Sequence, residues 1–381
     1  VAAEEVPEYR ERLAASRREL AQYRYSAGRW ADADRVYRAA IDDLRQLLLG
    51  DPRVAAYHER SAATLSNLAV VLRSLGETAE SERTLREALD EYEQYRSFVQ
   101  SPAPPIAYRV GRAASLTTLG QLLRDAGRNA DAEEALRDAL GEFQRLAGDL
   151  PGNPQFHHGL AVARGNLGYL LRQTGRPEDA EKEFRLAIAS SKKLVQNDAD
   201  DPDFADALAL SSRRLADILY GTDRHAEAVE LYGNAIALRE RLAQKLPHIP
   251  DHASRLAWLL ATCPHEESRD PERALELATN AAASVPDNGT YQSVLGIAQF
   301  RAGDWAAGKS TLESAGKLRP VDDPVSAFFL AMCHHRLGEK EAASQWYDRA
   351  ADWMRDKRPQ DPELIAIRAE ALRLLSSPLP K

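Results

Sequence analysis

Cysteine is nearly missing from this chain: Cys263 and Cys333 are the only two in 381 residues. Two thiols cannot build a disulfide framework, so a reducing compartment, the cytoplasm, is expected. Lysine is scarce as well, with none before Lys182 and Arg supplying most of the 50 basic residues. No run of about 18 apolar residues occurs, which removes a membrane-spanning helix. The net charge is −8 and no stretch is strongly basic, so neither nucleic acid nor a membrane surface is an expected partner. There is no signal-peptide pattern, and the chain opens at Val1 rather than Met, which reads as a processed or excised piece. Motifs of chemistry are missing too: no G-x-S-x-G, H-E-x-x-H, H-R-D or D-F-G appears. No enzyme activity, catalytic residue or cofactor is therefore expected. With 44% hydrophobic and 28% charged residues, the chain is nevertheless no disordered tail.

What is present is repetition. "GRWADADRVYRAAIDDL" from Gly28 aligns with "GETAESERTLREALDEY" from Gly76, "GRNADAEEALRDALGEF" from Gly127 and "GRPEDAEKEFRLAIASS" from Gly175. Further copies open at Asp223, Arg269, Gly303 and Gly338. Twelve residues after each opening stands an alanine, from Ala40 and Ala88 through to Ala315 and Ala350. The fifth residue after each opening is small, and eight residues before it Leu recurs, followed by Gly or Ala. Small residues let two helices approach closely, and the opening Gly supplies the positive φ that an interhelical turn needs. Each unit reads as helix A, a short turn and an antiparallel helix B.

Eight copies in this register resemble the tetratricopeptide repeat family over essentially the whole chain. The departures are Asp223 and Arg269 in place of the turn glycine, and Trp258 as the only in-register aromatic at the start of helix A. The resemblance implies an all-α, right-handed α-solenoid of about eight antiparallel helix pairs, closed by a C-terminal capping helix in "PELIAIRAEALRLLSS". Openings fall 48, 51, 48, 48, 46, 34 and 35 residues apart. The early spacings exceed the family's usual repeat by enough for roughly two extra turns per helix, so helices of about 20 residues are expected there. The expected organisation is five long units over 1–251, three shorter ones over 252–356, and a cap and tail over 357–381. Pro precedes Tyr9, Phe156, Phe204 and His252 by two residues at the joints, where Asp or Asn can cap. The unit motif, with "LAWLLATCP" and "FFLAMCHHRLGEKEAASQWYDRAADWM", also resembles arrays that follow bacterial serine/threonine kinase domains.

Three stretches imitate chemistry. Gly303 to Ser310 matches the phosphate-loop pattern G-x-x-x-x-G-K-[ST] letter for letter. A phosphate loop needs a strand before it and free N–H groups, whereas here the register places a turn and a helix B. Cys263, His265, Cys333, His334 and His335 could each ligate zinc, but they belong to different units, so no metal site is expected. Asp198, Asp200, Asp201 and Asp203 imitate a calcium loop that lacks Gly at its sixth place and an acid at its twelfth; capping of the next helix is the expected role.

The expected function is a non-catalytic protein–protein interaction scaffold that holds a partner segment on the helix A surface. Its alternative is a regulatory or sensory segment of a larger bacterial kinase protein. Arg73, Arg124 and Arg172 stand three residues before successive turns, with Tyr25 and Tyr220 at the flanking copies. In register they would form a row suited to carboxylate or phosphate. Asn67 and Asn166 match the place where related arrays hold a ligand's backbone. The expected partner is a protein or extended peptide, acidic or phosphorylated. The family's carboxylate-clamp activity is not expected without early lysines. Leu13, Leu20 and Tyr23 lie on a first helix with no preceding repeat to cover them, so self-association through the N-terminal end is a further expectation.

Overall fold

In a computed structural model, the described residues are 7–99, 105–199, 201–318, 323–357 and 361–377. Among them are seventeen α-helices, one 3₁₀ turn and no strand. The helices are α1 (Pro7–Ser26), α2 (Trp30–Gly50), α3 (Ala55–Leu75), α4 (Thr78–Phe98), α5 (Ile106–Asp125), α6 (Asn129–Asp149) and α7 (Pro154–Gln173). Then follow α8 (Pro177–Asn197), α9 (Pro202–Tyr220), α10 (His225–Lys245), α11 (Pro250–Thr262) and α12 (Pro271–Ser284). The last are α13 (Gly289–Arg301), α14 (Trp305–Leu318), α15 (Pro324–Arg336), α16 (Lys340–Lys357) and α17 (Pro362–Leu375). The chain divides into two compact units, 1–166 and 167–381, with the division inside α7.

Within each unit, consecutive helices pair as A and B: α1 with α2, α3 with α4 and α5 with α6, then α9 with α10, α11 with α12, α13 with α14 and α15 with α16. The pairs approach closely because small residues meet at the crossing. A Cβ on Gly296 would lie 2.6 Å from Leu312 and 3.1 Å from the Gly308 carbonyl; one on Gly168 would lie 3.2 Å from the Phe184 ring. The residue nine past each opening fills the space beside them, and Tyr37, Leu85, Leu136, Phe184 and Tyr232 are fully buried. Helices α1 to α10 run 19–21 residues, and α11 to α15 run 13 or 14.

The turn glycines take the left-handed conformation, with φ between 74° at Gly28 and 89° at Gly303. Asp223 adopts it too, at φ 59°, since a short polar side chain tolerates the region better than other non-glycines. Arg269 does not. Its connection is longer, carries the 3₁₀ turn Glu266–Ser268, and leaves Arg269 extended at φ −80°.

The joints cap as their composition suggests. Asp201 accepts the amides of Asp203 and Phe204 at 2.9 and 3.2 Å, which gives the acidic run a helix-starting role; Asp200 lies outside the described residues, as do Pro320 and most of the Pro-rich joint at 101–105. Helix α17 starts the same way, on Asp361. A pure cap would stack only on α16. Instead α17 also packs on α15 and reaches α9, so it lies along the odd-numbered helices of its unit.

Candidate functional site

The arginines named from sequence do not form an exposed row. Arg124 and Arg172 are only 7% and 4% exposed. Arg124 turns its Nε and Nη2 onto the adjacent Asp125. Arg172 donates from Nη1 to the Arg214 carbonyl at 3.2 Å and to Asp217 at 3.4 Å. Arg172 is thus an internal strut from α7 to α9, while Arg124 folds onto its own helix end. Asn166 is buried as well, and its amide donates to the Val162 carbonyl at 3.0 Å. Arg73, Asn67, Tyr25 and Tyr220 keep partial exposure. Tyr25 packs on the apolar cluster around Tyr37, while Tyr220 stacks edge-on with His225 and His265.

A polar site of a different make runs along the odd helices of residues 167–381, and α17 is seated in it. Tyr169 and Gln173, on α7, donate to Asp361 Oδ2 at 2.9 and 3.2 Å. Arg213 on α9 and the Trp258 indole N–H on α11 both donate to Glu363 Oε1, at 3.1 and 3.0 Å. Arg301 at the end of α13 grips both oxygens of Glu370, and Arg269 adds a contact at 3.2 Å. Three carboxylates of one helix thus meet donors from four successive helix pairs. Between them Leu364, Ile367 and Ala371 are buried in the same apolar cluster as Phe328 and Phe329. That spacing of three and four residues makes one stripe of a helix.

The donors are held by their own surroundings. Arg301 donates its Nε to the Ala261 carbonyl at 2.7 Å and lies over the Phe329 ring, 4.9 Å from its centre. Arg269 donates Nε to the Cys263 carbonyl at 2.6 Å. Behind Arg213, Asp217 takes the Tyr232 hydroxyl at 2.7 Å as well as Arg172. Burial works against the charge on Arg213, and Glu363 and Asp217 outweigh it, so its pKa is raised. Burial likewise opposes ionised Glu370, yet Arg301 and Arg269 hold its carboxyl below the ordinary carboxylate range. Sequence reasoning missed these residues. The acidic stripe on "DPELIAIRAE" was a signal; partners 69 to 192 residues away were not.

The look-alike stretches resolve structurally. Gly303 is the interhelical turn, and Lys309 sits inside α14 with its ammonium on both oxygens of Glu339 at 2.8 and 3.0 Å. The Gly308 amide donates to the Asp304 carbonyl at 2.9 Å and the Ala307 amide to the Asp304 carboxylate at 3.0 Å, so both are engaged within the helix start. Cys263 and Cys333 are buried; burial raises their thiols to about 11 and about 12. A cleft of about 570 Å³ among α14, α15 and α16 holds Trp346 and Trp353 beside Glu313 and Arg349. No helix among the described residues is long and apolar enough to cross a membrane. On α1, Tyr9, Leu13, Leu20 and Tyr23 form an exposed stripe, the two tyrosines 69% and 67% accessible.

Paired antiparallel helices, turn glycines and small residues at every crossing define an α-helical repeat array. Tetratricopeptide repeat profiles match residues 61–95, 112–155, 160–203 and 208–254, then 265–315, and then 326–356. The chain belongs to the tetratricopeptide repeat family, whose arrays are protein-interaction scaffolds. No curated protein sequence matches it. Among solved structures, a Rap protein complexed with competence and sporulation factor shares the fold at 16% identity and TM-score 0.50, covering 89% of this chain and 74% of that one. BtubC from P. vanneervenii is 18% identical over 75% of this chain and 89% of that one, with TM-score 0.42. Yeast Tom70 is 13% identical over 96% and 97%, with TM-score 0.32.

Proposed function

We propose that this chain is a non-catalytic scaffold that receives a partner segment along the odd helices of residues 167–381. The observation that supports it is α17 itself, a helix already seated there with its three carboxylates on donors from four helix pairs. An array presents its donors at fixed intervals, so a single rod-like segment meets successive repeats. The partner's chemistry follows from the donors: Arg213, Arg269 and Arg301 favour carboxylate or phosphate over neutral groups. In residues 1–166, Tyr25, Asn67 and Arg73 remain proposed contacts, because they keep partial exposure while Arg124 gives up its own. The exposed stripe of α1 is proposed as a self-association surface. A cytoplasmic location suits the two buried free thiols.

A regulatory or sensory segment of a larger kinase protein is the second reading; the cis-docked α17 supports its regulatory part alone, since a segment that fills its own wall suits control. Panning a displayed peptide library on the folded chain tests the scaffold reading. Acidic sequences should be enriched, and they should be lost on a helical Arg213→Glu/Arg301→Glu variant. Enrichment without charge preference, retained by that variant, would count against this wall.

A further inference from the structure

The wall that holds α17 presents Arg213 and Arg301 to the carboxylates of that helix. Arg301 is nearly buried and pairs with Glu370, while Arg213 lies between Asp217 of its own helix and Glu363 of α17. Buried charges stay paired, so an occupant that keeps Arg301 buried brings a carboxylate to it. Helix α17 meets that need modestly. Among its described large side chains Leu364 and Ile367 are buried and Leu374 and Leu375 pack partly buried on the same cluster, while Ile365 and Leu372 face solvent. Helix α15, by contrast, is buried without interruption from Val325 to His335. At its C-terminal end α17 also leaves a cleft of about 470 Å³ beside Phe300, Arg301, Trp305, Arg336 and Leu374. The guanidinium of Arg336 lies there over Trp305.

Resting on the scaffold reading, we propose that this groove is a receptor for an acidic amphipathic helix of a partner protein, and that α17 is its replaceable occupant in cis. The partner helix repeats the α17 pattern: carboxylates matching Asp361, Glu363 and Glu370, and apolar residues matching Leu364, Ile367 and Ala371. A bulkier apolar residue at the place of Leu374 reaches into the cleft that α17 leaves open, beside Phe300 and Trp305, which gives the partner an advantage over the built-in helix. Cis occupancy sets the threshold. If α17 is docked about 99% of the time, a competing helix binds about a hundredfold more weakly than to the open wall. Tethering explains how so short a helix holds its place, since a linked segment competes at an effective concentration of order millimolar.

The test uses the full chain and a fluorescein-labelled peptide with the sequence of residues 361–377, read by anisotropy. In Glu363→Gln/Glu370→Gln the cis helix is weakened and the wall is intact. The peptide should bind this variant at least tenfold more tightly than wild type. A Leu374→Trp peptide should bind more tightly still, and adding Arg301→Gln should remove the binding. Equal affinity for wild type and variant, or no saturable binding by a variant of wild-type helicity, overturns the proposal. So does loss of helicity in the variant, which would make α17 an integral part of the core. Hydrogen exchange on the wild type gives a second reading: α17 amides should exchange faster than those of α13 and α15, and equal protection overturns it. A concentration-dependent dimer of the variant that takes up no peptide would assign the groove to α17 of a second copy, against the proposal. Failure here leaves the library experiment to judge the scaffold reading separately, because that experiment scores any partner on the wall.

Discussion

Asp223 shows how far a single residue can stand in for another. The repeat asks for glycine at this turn, and Asp223 takes the left-handed conformation at φ 59°. A non-glycine residue there carries a backbone cost of about 1 kcal/mol or more. Asp223→Gly should therefore stabilise the fold by about 0.5–1 kcal/mol, and Gly175→Ala, at φ 77°, should destabilise it by a similar or larger amount, both read from urea midpoints. Asp206 belongs to the same scale. It accepts Arg239 at 2.6 Å and Arg255 at 2.9 Å. Burial opposes its charge, and the two arginines overcome it, so its pKa is depressed. A depressed carboxylate gives stability that is full above the unfolded value near 3.9 and lost as pH falls toward the folded value. Asp206→Asn strands the buried Arg239 and should cost about 2–4 kcal/mol at pH 7. The gap from wild type should narrow in acid, and a cost under 0.5 kcal/mol at neutral pH would contradict the assignment.

At the scale of the element, helix crossings and the last helix carry the argument. Gly308 belongs to a phosphate-loop look-alike, yet its neighbours are backbone: a Cβ would sit 3.0 Å from the Gly296 carbonyl and 3.2 Å from the Phe300 amide. Gly308→Val should cost about 2–3 kcal/mol through overpacking. Lys309→Ala, which removes a partly exposed ion pair with Glu339, should cost under 1 kcal/mol. Thermal melts of the two variants check both, and the reverse order would restore significance to the lysine. For α17 the sign of the pH effect follows from Glu370. Its pKa lies below the ordinary value near 4.3, so docking is at full strength at neutral pH and weakens as the solution is acidified through the folded value. Trp258, which donates to Glu363, reports this. Its emission, taken as the difference from Trp258→Phe, should shift to the red as the pH falls below about 4 while far-ultraviolet circular dichroism still shows the array.

Over the whole molecule, the parts legible in the sequence are those that repeat. Alanine and glycine positions such as Ala40, Gly120 and Gly296 recur because every helix crossing solves the same packing problem, so eight copies reinforce one another. The longer spacing of the early copies translated directly into helices of 19–21 residues. Two members of the arginine row, Arg124 and Arg172, are buried for an instructive reason. Register told which residues share a height in the stack; it did not tell that Arg172 would turn inward to Asp217. The α17 site was illegible because it does not repeat: Asp361 and Tyr169 are 192 residues apart and paired once. Hydrogen exchange of the full-length Glu363→Gln/Glu370→Gln variant, saturated with the peptide of residues 361–377 carrying Leu374→Trp, tests the replaceable-helix account most directly. The account expects amides of α17 to exchange faster once the peptide is bound, while α13 and α15 keep their protection. Bound peptide with α17 as protected as before would place the peptide elsewhere and contradict it.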